Sequence, residues 1–269
     1  MTIWTMRTVF FAMIVASSWG CSELTSSSPA QDLASGGGSA DAAAGSDLSV
    51  ASDAGPWSFS EDFAVADGAP WPAPWTVLGG AASQTVQGGR GRLVPITSTY
   101  ALARMGTKAG VSDIEVSFQV QFESLGTQGV GYYVRQNGGW LRNTATRGQG
   151  YAVFIEGFRG SRIGVWKEED GQEIELSNFT GFATPLQSNV LYGVRFRVKQ
   201  AAPTMTQLQA RIWNAAQSEP ATWQVDMMDS TAVLQNISGG MAIDSYSSQS
   251  TGTITAATFI DKIAAVPAS

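Results

Sequence analysis

Between residues 114 and 123 apolar and polar side chains alternate strictly: Ile114, Val116, Phe118, Val120 and Phe122 against Glu115, Ser117, Gln119, Gln121 and Glu123. A period of two predicts a strand with one buried face. The same alternation sets Tyr192, Val194, Phe196 and Val198 against Arg195, Arg197 and Lys199, and Leu208, Ala210 and Ile212 against Gln207, Gln209, Arg211 and Trp213. Shorter runs predict strands at 131–136, 150–156, 162–168, 173–176, 240–246 and 253–263, and Asp170-Gly171 between two of them predicts a hairpin turn. Short strands at this spacing without helical periods predict an antiparallel sandwich or jelly roll.

The pattern stops at the N-terminal end. Residues 1–7 end in Arg7, an apolar run follows to Ala16, and small residues and Trp19 lead to Gly20-Cys21, the parts of a secretory signal too short to span a bilayer. From Ser22 to about Gly55 the chain is Ser, Ala, Gly and Asp with almost no large apolar residue, which cannot offset its ordering entropy. This stretch is expected to be a disordered tether with a reach of roughly 30 Å. The expected organisation is therefore a signal peptide over 1–20, a modified cysteine and linker over 21–55, and one β domain over 56–269.

Composition narrows the chemistry. The sequence holds no histidine and one cysteine, Cys21, so it has no Ser-His-Asp or Cys-His catalysis, no internal disulfide and no multi-cysteine metal site. Five acids of the tether and one base of the leader account for most of the net charge of −6, which leaves the domain near neutral, with no footprint for nucleic acid or anionic lipid.

Gly20-Cys21 resembles the cleavage site of bacterial lipoproteins, with Ser18 where that family prefers Leu and a bulky Trp19. The resemblance implies an exported protein, lipid-anchored through Cys21 in the cell envelope, and Ser22 is compatible with the outer membrane. Membrane contact is then through the lipid alone. Simple secretion is the other expectation.

Phe59-Ser60-Glu61-Asp62-Phe63 with Trp71 and Trp75, Gly150-Tyr151-Ala152-Val153, the hairpin Val165-Trp166-Lys167 to Asp170-Gly171, Ala210-Arg211-Ile212-Trp213, and the ending Phe259-Ile260-Asp261-Lys262-Ile263 resemble concanavalin A-like lectin and glucanase jelly rolls, in particular laminin G-like domains. The resemblance implies an all-β, two-sheet antiparallel jelly-roll sandwich. It also implies structural calcium near Asp62, Asp67 and Asp261, with no other cofactor. Such domains bind carbohydrate, hydrolyse it or bind proteins, so the fold does not choose among them.

Three functions follow, in order of expectation. The first is a non-catalytic module that holds a polysaccharide or glycan on the concave sheet face, using flat aromatics and planar polar groups; its candidates are Tyr133, Arg135, Trp140, Tyr151, Trp166 and Trp213. The second is a structural lipoprotein that docks a surface protein. The third is a glycoside hydrolase: Glu168-x-Asp170-x-x-Glu173 is similar in spacing to the acid motif of family 16 glycoside hydrolases. Against it, Asp170-Gly171 is more simply a turn that leaves Glu168, Glu169 and Glu173 as solvated charges at a hairpin tip. Arg195, Arg197 and Lys199 suggest either an anionic ligand or pairing with acids such as Glu115 and Glu123, and pairing is the expectation.

Overall fold

The computed structural model describes residues 57–79, 81–96, 103–137, 148–249 and 251–269, all within the compact unit Ser52–Ser269. The leader, Cys21, the linker and Trp140 lie outside the described residues. In chain order the strands are β1 (Phe59–Glu61), β2 (Thr76–Gly79), β3 (Ala81–Val86), β4 (Gly91–Pro95), β5 (Ala103–Val111), β6 (Ile114–Phe122), β7 (Gln128–Asn137) and β8 (Gln149–Glu156). They continue as β9 (Arg162–Glu169), β10 (Gln172–Phe179), β11 (Tyr192–Ala202), β12 (Met205–Asn214), β13 (Val225–Asp229), β14 (Gly239–Ser247) and β15 (Thr258–Pro267). Two short 3₁₀ turns, Leu125–Thr127 and Ala232–Leu234, are the only helical segments among the described residues.

The strands form two antiparallel sheets, a jelly-roll sandwich. One has the order β13-β12-β11-β6-β15-β4-β3, with β1 also on β15; the other is β10-β9-β8-β7-β14-β5-β2. In β15, Thr258–Ile260 pairs with β4 and Ile263–Ala265 pairs with β1, so two short strands share one edge of it. The change of partner falls at Asp261 and Lys262, where Lys262 takes a φ of 47° and the pairing with β6 shifts register.

Between the sheets lies the main core. Strand β6 buries every second residue, as its pattern predicts, and Phe118 stacks on Tyr132 of the opposite sheet at 4.8 Å. Trp71 and Trp75 join this core and meet edge-on with Phe63 and Phe59. Strands β7 and β8 are buried on both faces, because a second apolar cluster of Tyr133, Ala152, Phe154, Trp166, Ala242 and Tyr246 covers the outer side of the seven-stranded sheet.

Of the basic stripe of β11, Arg195 pairs with Glu115 as expected, whereas Arg197 donates to the Gln209 side-chain carbonyl and Glu123 accepts the Ala257 N–H. Arg195 binds Glu115 at 2.6 Å and Glu219 at 2.5 Å, and Arg211 binds Glu219 at 2.5 Å. Arg197 and Arg211 both lie over the ring of Trp223. These charges brace the outer face of the eight-stranded sheet against the loop that follows β12.

Candidate functional site

On the outer face of the seven-stranded sheet, large side chains lie flat over small ones. Trp166 pairs across the strands with Ala152, Phe154 with Gly164 and Gly131, and Tyr246 with Gly129. A Cβ at Gly131 would collide with Asp244, one at Gly164 with Phe154, and one at Gly129 with Tyr246. The absent side chains are what let the rings reach the sheet. Phe154 stacks on Trp166 at 4.7 Å, and Tyr133 and Tyr246 flank Trp166 at 6.0 and 6.2 Å. Phe158 meets Tyr246 edge-on.

Carboxylates surround this bed. Glu156 accepts from the Tyr246 hydroxyl at 2.7 Å and from Arg162 Nε at 2.7 Å, and Arg162 reaches on to Glu175 at 2.9 Å. The Tyr133 hydroxyl hydrogen-bonds Glu173 and lies 3.4 Å from Asp244. Glu168 accepts from Gln136 Nε2 at 3.4 Å. Burial, with the nearby charges of Glu156, Asp244 and Glu173, raises the Tyr246 phenol well above its ordinary value, so it stays a neutral donor. Amid these acceptors the Trp166 Nε1–H is buried and has no hydrogen-bond partner among the described residues. Buried donors are nearly always satisfied, and among the described residues the Trp75 Nε1–H in the main core shares this condition.

The structure divides the sequence-predicted residues. Tyr133 and Trp166 come together on the outer face, and Trp166 is only 7% accessible because its neighbours pack around it. Arg135 and Tyr151 are corrected: both are fully buried between the sheets instead of lining a ligand face. The cause is local. Arg135 has a φ of 51°, at a bulge where the β7–β8 register shifts, and this turns it inward. There it meets Asp113 at 3.1 Å, Thr206 at 3.1 Å, and the Leu234 and Ser112 carbonyls. Burial lowers its proton affinity, and Asp113 opposes that. Tyr151 sits in β8, which is buried on both faces and so shows no alternation, and its hydroxyl donates to Asp229 at 2.7 Å. Burial and Asp229 raise it.

Trp213 lies on the outer face of the other sheet, over Gly193, and cannot share a ligand surface with Trp166. The expectation of solvated acids is also corrected. Asp170 and Gly171 do form the turn, with φ values of 50° and 71°, but Glu168 is fully buried on the aromatic side, directly opposite the exposed Glu173. Sequence reasoning missed Glu156, Asp244, Tyr246 and Phe154. Asp244 and Tyr246 were legible as the alternate partners of Met241 and Ile243 in a predicted strand.

Burial raises Asp261 above its ordinary value, and the nearby Asp62 adds to this. Their oxygens accept N–H groups of Ala64 and Lys262, Asp67 accepts from Gly88, and Arg90 and Lys262 lie close to Asp261. No group of three or more His, Cys, Asp or Glu side chains stands together among the described residues.

No family model and no curated protein matches the sequence. Among solved structures the carbohydrate recognition domain of Emp47p superposes with a TM-score of 0.51 at 9% identity, over 79% of this chain and 95% of that one. The fold is that of the lectin-like jelly rolls. Looser likenesses extend to the alginate lyase Aly36B, with a TM-score of 0.48 at 13% identity over 80% and 99% of the two chains, and to the carbohydrate binding module CBM66 from Bacillus subtilis, with 0.46 at 12% over 71% and 94%. At such identities a likeness carries architecture alone.

Proposed function

We propose that the domain binds a glycan on the outer face of its seven-stranded sheet. One observation carries the reading: a buried indole N–H of Trp166, without a partner among the described residues, inside an aromatic bed rimmed by carboxylates. A sugar offers apolar C–H faces to rings and hydroxyls that both accept and donate, so one hydroxyl can accept from Trp166 and donate to an acid. The exposed acids Glu173 and Glu175 mark the accessible flank. Support also comes from a fold shared with a carbohydrate recognition domain.

A glycan array tests this with Trp166→Phe, which keeps an aromatic ring but removes the N–H, and Glu173→Gln, which keeps the shape. Each is expected to weaken binding by about fivefold to tenfold, the loss of one hydrogen bond; Glu173→Gln retains the melting temperature, whereas Trp166→Phe lowers it because the smaller ring leaves a cavity beside Phe154. An array on which the wild-type protein retains no glycan, or on which both variants bind as well as wild type, overturns the reading.

A second reading, hydrolysis, is favoured by the direct pairing of Glu168 with Glu173 across β9 and β10. Directly opposed residues have Cβ atoms roughly 5 Å apart, which puts two Glu carboxyl groups within reach of the roughly 5 Å separation that retaining glycosidases use. New reducing ends released from the retained glycan, lost in Glu168→Gln while binding persists, would identify an enzyme. Their absence identifies a binder.

Anchored through Cys21, such a module would hold glycan at the cell envelope. Cys21→Ser is expected to move the protein to the soluble fraction, read by immunoblot of fractionated cells.

A further inference from the structure

A cavity of about 610 Å³ opens between the 180–191 loop and the 214–224 loop, against the ends of β11 and β12. We infer that it is a second ligand site, built for an uncharged sugar unit. Its size falls within the range of small-ligand pockets. Its lining holds no Asp, Glu, Lys or Arg. A charged ligand would lose its hydration there without gaining a counter-charge, which selects against acidic polysaccharide.

The lining suits hydroxyls and sugar faces. Phe182, Tyr192 and Trp213 supply rings, while Asn214, Gln217 and Gln224 supply amides that donate and accept at once, as sugar hydroxyls require. Several of these groups already spend one bonding capacity on the protein and keep the other. Gln224 accepts the Ile212 N–H at 2.7 Å through Oε1, which leaves its NH₂ as a donor. Asn214 accepts the Ala216 N–H at 2.9 Å through Oδ1. The Tyr192 hydroxyl accepts the Gln187 N–H at 2.7 Å, and its own proton remains to be donated.

Both walls are pinned, so little ordering entropy opposes binding. The first loop is tied by Asn189 N–H to the Phe122 carbonyl at 2.7 Å, by Ser188 to the Leu125 N–H at 2.9 Å, and by Tyr192. The second is held by Glu219, which turns out of the cavity to Arg195 and Arg211, and by the Ala221 carbonyl, which accepts from Arg211 at 3.0 Å. One wall of the cavity is therefore held by an ion-pair cluster whose charges do not line it.

This inference stands apart from the glycan reading of the seven-stranded sheet, because Trp213 and Trp166 lie on different sheets and report separately. The intact ¹⁵N-labelled protein is titrated with laminarihexaose and cellohexaose, with an alginate hexaose as the charged control, and indole and side-chain amide signals are followed. Expected are saturable shifts of the Trp213 indole and the Gln217 and Gln224 amides with at least one neutral hexaose at millimolar concentration, and none with alginate. Gln224→Glu keeps the acceptor for Ile212 but replaces the donor with a charge, and Gln217→Ala shortens an exposed loop residue; each is expected to weaken binding about tenfold, with the melting temperature retained. Shifts confined to Trp166, no shifts at all, equal shifts with alginate, or unweakened binding in both variants would overturn the assignment.

Discussion

Arg135 and Trp166 both carry buried polar groups, yet among the described residues only Arg135 finds partners for them. Arg135 distributes its donors over Asp113, Thr206 and two backbone carbonyls, so its role is to join the sheets. Arg135→Met is expected to cost about 3 kcal/mol, because it strands those acceptors, and urea denaturation should show this while glycan affinity stays constant. Gly131 makes the opposite case. Gly131→Ala pushes a Cβ into Asp244 and Trp166, so it should cost about 1–3 kcal/mol by overpacking and also lower glycan affinity, read together by denaturation and the array. If affinity survives the substitution, the ligand does not use the bed around Trp166.

Among elements, the Asp170-Gly171 turn and the Glu219 loop show how local chemistry sets distant surfaces. Both turn residues take positive φ, which closes the hairpin and places Glu168 opposite Glu173. Gly171→Ala strains the left-handed position and is expected to cost about 1–2 kcal/mol, measured by the midpoint of thermal unfolding. Glu219 is held below its ordinary value by its hydrogen bond from Arg195, helped by Arg211. A carboxylate lowered by folding stabilises fully above its unfolded value of about 4.3 and loses that contribution as pH falls through the folded value. Melting temperature should therefore drop on the acid side of pH ~4. Glu219→Gln should lower it at neutral pH and flatten the acid limb. Cavity binding should weaken in step, because the same ion pairs hold its wall.

At the scale of the molecule, the last strand completes the sandwich. β15 pairs with β6 on one side and with β4 and then β1 on the other, so the first and last strands close the domain together. Truncation after Asp261 removes Ile263 and Ala265 from the core and the whole partner of β1. It should abolish the cooperative thermal transition seen by circular dichroism. A retained sharp transition would show that the eight-stranded sheet is stable without its closing strand.

What the sequence determined by itself is the architecture and its clearest strands. β6, β11 and β12 each face solvent on one side, so burial on the other writes a period of two into their residues. β7 and β8 were legible as strands but not as to face, because both sides are covered and alternation vanishes. β1 to β5 and β13 escaped notice: β1, β2, β4 and β13 are too short to show a period, and β3 and β5 are rich in Gly, Ala and polar residues whose strand character comes from neighbours in the sheet. Only tertiary structure could move Arg135 and Tyr151 inward, separate Trp213 from Trp166, and bring Glu156, Asp244 and Tyr246 around the ring that remains. A site assembled from five strands depends on register and bulges, and these are set by pairing between segments far apart in the chain.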